Sequence, residues 1–155
     1  MKKPVLLAFF VIITFLLNAQ TDAARKKNFN IDSKGLAIQG YDIISYYLYP
    51  APKLGKKEYS YLYKGILYYF ETEKTMNVFK LNPEKWEPAY GGWCAYAMGN
   101  SGEKVEVDPA TYKIIDNRVY LFYNAYLTNT LPKWNKDEKN LKLKADKNWT
   151  AFLTK

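Results

Sequence analysis

The stretch EYSYLYKGILYYFE, Glu58 to Glu71, decides the fold. Its first half alternates residue by residue, so Tyr59, Tyr61 and Tyr63 share one face, and Lys64-Gly65 interrupts it. Period-two alternation broken by a turn dipeptide reads as a β-hairpin. A second stretch of the same kind, TYKIIDNRVYLFYN from Thr111 to Asn124, turns at Asp116-Asn117, two residue types that tolerate the left-handed backbone region.

Working outward, GLAIQGYDIISYYLY (Gly35 to Tyr49) reads as a strand, a turn at Gly40 and a second short segment, ended by Pro50-Ala51-Pro52. Thr72 is an N-cap for a helix with Met76, Phe79 and Lys80 along one side. Asn82-Pro83-Glu84 starts a second helical turn, because Asn caps, Pro suits the first helical position and an acid there favours the dipole. Asp108 before Pro109 reads the same way. The pair Gly91-Gly92, set among bulky aromatics, marks a positive φ or a close approach of chain segments.

After Asn124 the pattern becomes helical, with short helices over 126–131, 134 to about 141 and 145–152, and Trp134 and Trp149 turned inward. No internal repeat, low-complexity tract or heptad is visible. Strands followed by helices give an α+β fold: a small antiparallel sheet built from hairpins with several short helices, in a single domain. The tyrosine face of the first hairpin reads as a half-buried sheet face under the carboxy-terminal helices.

The amino terminus reads as a cleavable signal peptide. Lys2 and Lys3 precede an uncharged run from Pro4 to Leu17, and Asn18-Ala19-Gln20 brings small and polar residues. The apolar run is too short to span a bilayer. Cleavage after Ala19 is expected, with Ala23 as a second site. Residues 1–19 are therefore the signal peptide, 20–30 (from Gln20) a flexible leader and 31–155 the domain, with no membrane anchor after cleavage. The mature protein is expected in the periplasm or outside the cell.

Removing residues 1–19 from a chain of 155 leaves 136, the size of one domain with a real core. The net charge falls from +8 to +6, because the removed segment holds Lys2 and Lys3 and no acid. Basic residues interleave with acids, as in Lys136-Asp137-Glu138-Lys139, which is a solvated face and not a nucleic-acid stripe. One cysteine, Cys94, cannot form an internal disulfide, and the absence of histidine removes the usual general base and the commonest metal ligand. No catalytic acid/base constellation is visible, and a zinc site built from cysteine and histidine has one ligand out of four.

Six blocks follow one another in an order that carries a resemblance: GYD (Gly40 to Asp42), YLYKGILYYF (Tyr61 to Phe70), FKLNPEKW (Phe79 to Trp86), PAYGGWCAYA (Pro88 to Ala97), DPATYKIIDNRVYLFYN (Asp108 to Asn124) and KADKNW (Lys144 to Trp149). Together they resemble the exported YHS-domain family over nearly the whole mature chain. The resemblance implies a bacterial source, so the sequon Asn148-Trp149-Thr150 is set aside. It also implies an association with heavy-metal handling, notably of copper and silver, through paired cysteines. This chain departs from that pattern in having Cys94 alone and no histidine.

Two functional readings stand side by side. In the first, Cys94 anchors a soft metal ion such as copper, with the Met98 thioether four residues on as a second ligand, if that segment is helical and both face one pocket. In the second, no metal binds. Tyr41, Asp42, Tyr90, Gly91 and Gly92 then shape a pocket for a small molecule or a surface for a protein partner. Beside both stands packing: Cys94 as a small buried hydrophobe with Met98 filling the core, and Asp42 as a turn or helix cap.

Overall fold

The computed structural model describes residues 22–154. The expected signal peptide, residues 1–19, lies outside them. Residues 22–28 form a helix, α1. This stretch was expected as part of a flexible leader, but Phe29 at its end is buried and packs edge-on against Trp149.

Next comes the first of two unusual turns. Ile38, Gln39 and Gly40 have φ of +54°, +52° and +84° in succession. A β-branched residue in the left-handed region is strained, and Ile38 persists there because it is buried in the core. Helix α2 (Ser45–Leu48) follows at once. The first hairpin then pairs β1 (Lys56–Tyr63) with β2 (Ile66–Phe70), turning on Lys64 and Gly65, both at positive φ, as the sequence reading expects. Its register runs from Tyr63↔Ile66 to Ser60↔Tyr69 and slips in a bulge before Lys56↔Phe70. Helix α3 (Glu73–Leu81) opens on Thr72, whose hydroxyl accepts the Thr75 N–H in a capping box. Helix α4 (Pro83–Trp86) has Asn82 as its cap and Pro83 at its start.

A second turn follows at Tyr90, Gly91 and Gly92, with φ of +55°, +60° and +87°, and then helix α5 (Ala95–Asn100). The second hairpin pairs β3 (Asp108–Ile115) with β4 (Arg118–Phe122) around Asp116-Asn117. Asp108-Pro109 therefore starts a strand and not a helix. The Asp108 carboxylate accepts the Ala110 N–H and the Thr111 hydroxyl, and at the end of a strand beside a bulge the missing proline N–H costs nothing.

Residues 126–131, expected as a helix, carry instead a miniature hairpin, β5 (Asn124–Ala125) with β6 (Thr128–Asn129). The two expected terminal helices become α6 (Leu131–Lys136) and one long α7 (Glu138–Leu153). Among the described residues the three two-stranded sheets are all antiparallel, and with the helices they make an α+β single domain.

Two apolar clusters hold these elements together. The first gathers Ile43, Ile66, Tyr68, Phe70, Phe79, Val119 and Leu121. The second gathers Tyr120, Phe122, Trp134, Leu141 and Ala145. Strand β4 therefore lies between them, alternate residues facing alternate cores. The tyrosine face of β1 is half-buried as expected, but its cover is Phe79 of α3, edge-on to Tyr61 and Tyr63, and not the carboxy-terminal helices.

Candidate functional site

Asp42 is wholly buried and both carboxylate oxygens are engaged. One accepts the Ile44 N–H at 2.8 Å, the other the Glu71 N–H at 2.9 Å. Its own N–H donates to the Lys53 carbonyl at 2.8 Å, and its carbonyl accepts the Ser45 hydroxyl at 2.6 Å. The residue caps the turn into α2 and ties β2 to it, the role Asp plays at such places. Tyr41 is half-buried against the first core.

Cys94 is likewise wholly buried. Its N–H donates to the Val105 carbonyl at 3.0 Å, its Sγ accepts the Tyr123 N–H at 3.4 Å, and Thr130 Oγ1 lies 3.5 Å from the sulfur. Cys94 precedes α5 with φ −58° and ψ 116°, outside helical geometry. As the cap residue of α5 it still accepts the Met98 N–H at its carbonyl, at 3.0 Å. The two sulfur side chains nonetheless pack in different cores, Cys94 in the first and Met98 in the second. Among the described residues, no group of three or more cysteine or carboxylate side chains converges.

Gly91 and Gly92 both meet the expectation of positive φ, and Gly91 that of close approach as well. A methyl group on Gly91 would come within 2.7 Å of Trp149 and 3.0 Å of Phe29. The space beside the turn is filled by the chain itself, and the Gly91 carbonyl accepts the Asn30 N–H. Tyr90 is buried in the second core, and its hydroxyl donates to Asp146 at 2.9 Å. Burial pushes the Tyr90 phenol far up, with Tyr120 and Asp146 beside it adding to the effect.

Tyr41 and Asp42 thus sit at the first turn, and Tyr90, Gly91 and Gly92 at the second. A cavity of ≈ 200 Å³ beside the first turn is lined by Asn30, Ile31, Asp32, Leu36, Gln39 and Glu106, none of the residues singled out.

Two features escaped the sequence reading. The first is a buried ionic cluster. Arg25 of α1 donates to the Glu87 carboxylate, which also accepts the Tyr68 hydroxyl at 2.7 Å, and the guanidinium lies 4.3 Å from the Phe29 ring centre. Burial and Glu87 push the Tyr68 phenol well above its usual range. The second is the tip of the β5–β6 hairpin. Tyr126 and Leu127 are 93% and 109% exposed, both at positive φ (+49° and +63°). Such a turn favours Asn-Gly, and a tyrosine beside a γ-branched leucine pays strain to stand there. The signal available in sequence was two large apolar residues between Asn124 and Asn129, too short a segment for a helix.

Compared with known proteins, the chain matches no family model, no curated protein and no solved structure. Among the described residues, no helix is long and apolar enough to cross a membrane.

Proposed function

We propose that this chain is an exported, non-catalytic interaction module that engages a protein partner through the Tyr126-Leu127 tip. The observation that carries the reading is the combination of full exposure and positive φ at two large apolar residues in succession. Strain of this kind clusters at functional sites such as ligand clamps, and tyrosine is among the side chains that anchor interfaces. The residues first considered as ligand-binding are occupied in holding the fold, which favours this reading over a soft metal site at Cys94.

A photo-crosslinking residue at position 127 of the mature protein, irradiated in the exported compartment, tests it. A discrete protein adduct, absent when the same probe stands at position 143 and lost with Tyr126→Ser, supports the proposal. Adducts to lipid alone, or equal adducts at both positions, sink it.

A further inference from the structure

We infer that residues 37–71 and 89–123 are two copies of one structural unit, and that Asp42 and Cys94 are the same position in each. The offset is constant. Every Cα pair of the first hairpin recurs 52 positions on: Lys56↔Phe70 becomes Asp108↔Phe122, Ser60↔Tyr69 becomes Tyr112↔Leu121, and Tyr63↔Ile66 becomes Ile115↔Arg118, with the bulge at the same step. The left-handed turns, Ile38 to Gly40 and Tyr90 to Gly92, are 52 apart as well, with the same sequence of φ values.

The hydrogen bonds around the two buried residues repeat too. Asp42 N–H to Lys53 O matches Cys94 N–H to Val105 O, and Tyr41 N–H to Ile38 O matches Trp93 N–H to Tyr90 O. Glu71 N–H reaches the Asp42 carboxylate as Tyr123 N–H reaches the Cys94 sulfur. Each copy then leads into a pair of helices, and an aromatic of the first (Phe79, Trp134) packs on the same two strand residues, Tyr68 with Phe70 and Tyr120 with Phe122. Only Ala37/Ala89, Gly40/Gly92, Tyr68/Tyr120 and Phe70/Phe122 are identical across the 35 aligned positions, so no repeat shows in the sequence. The copies part after Tyr123. Thr72 caps α3 directly after Glu71, whereas β5–β6 intervenes before Thr130 in the second copy.

The equivalence assigns Cys94 a positioning role: a weak acceptor where the first copy has a strong one. At an unrelated apolar site a buried carboxylate is among the worst substitutions. Here the Tyr123 N–H already reaches the Cys94 side chain, and the equivalence puts the Tyr96 N–H where that of Ile44 stands, so Cys94→Asp gains the two donors that Asp42 has in Ile44 and Glu71.

The test compares Cys94→Asp with Cys94→Ala in the mature protein. The Asp variant is expected to melt above the Ala variant and to slow exchange of the Tyr96 amide by about tenfold. An Ala variant that melts higher, or an unchanged Tyr96 amide, overturns the inference. If neither variant folds, the reciprocal pair decides: Asp42→Cys, which keeps an acceptor, must melt above Asp42→Ala, and equal or reversed order overturns it.

Discussion

Arg25 and Glu87, 62 positions apart, form an ion pair that fastens α1 to the loop between α4 and the second turn. Both side chains are mostly buried, and Arg25 also lies over the rings of Phe29 and Tyr63. Removing one partner of such a pair strands the other charge away from water, a cost of about 3–5 kcal/mol. Arg25→Ala is therefore expected to lower stability by roughly 3 kcal/mol, and Glu87→Gln, which keeps an acceptor for Tyr68 but strands the Arg25 charge, by roughly as much. Urea unfolding monitored by tryptophan fluorescence measures both. Equal and negligible losses would mean that α1 is not fastened by this pair.

Stability and contact should part company at the β5–β6 tip. Replacing Tyr126-Leu127 by Asn-Gly supplies the residue types that the turn geometry prefers. The double variant Tyr126→Asn with Leu127→Gly is expected to be more stable by about 1 kcal/mol, since it relieves left-handed strain at two positions. The same variant should no longer compete with the unaltered protein for the crosslinked partner. A loss of stability would show that the two side chains pack against the domain in solution.

Much of this architecture could be read from local chemistry. Lys64-Gly65 and Asp116-Asn117 announce their turns, and Thr72 and Asn82-Pro83 their helix starts, because each effect acts within four residues. What escaped depends on distant partners. α1 looks polar and aperiodic until Arg25 finds Glu87 and Phe29 finds Trp149. Cys94 and Met98 have helical spacing, yet they pack in different cores on the two sides of β4. Residues 126–131 hold apolar side chains at intervals a helix could use, and only the pairing of Asn124 with Asn129 turns them into a hairpin.

Alkaline pH should unfold the protein steeply. Tyr46, Tyr68 and Tyr90 are buried, and burial is the largest cause raising each phenol; Tyr47, half-buried, is pushed up to about 12. In the unfolded chain a tyrosine ionises near pH 10. The folded state holds its protons to higher pH, so the stability these groups supply is complete below about pH 10 and falls as pH rises beyond it. Each fully buried phenol takes away up to about 1.4 kcal/mol per pH unit in that range. Circular dichroism against pH, with tyrosinate absorbance at the same time, should show ionisation and loss of structure together. Ionisation of all the tyrosines near pH 10 with the structure intact would contradict the burial.

Cys94 separates packing from metal handling most sharply. With no exposed surface and a sulfur that accepts the Tyr123 N–H, its thiol should react with a thiol reagent only when the domain opens. Native labelling should therefore be slow and accelerate in step with urea. Cys94→Ser shortens the reach of the acceptor toward the Tyr123 N–H and buries a hydroxyl in place of an apolar sulfur, at an expected cost of about 1–3 kcal/mol. Cu(I) held in a competing chelator should stay with the chelator, because Met98 faces the other core and a lone thiol is a poor site for a soft ion. Stoichiometric transfer of Cu(I) to the protein, abolished in Cys94→Ala, would restore the metal reading and show that the second turn opens to admit the ion.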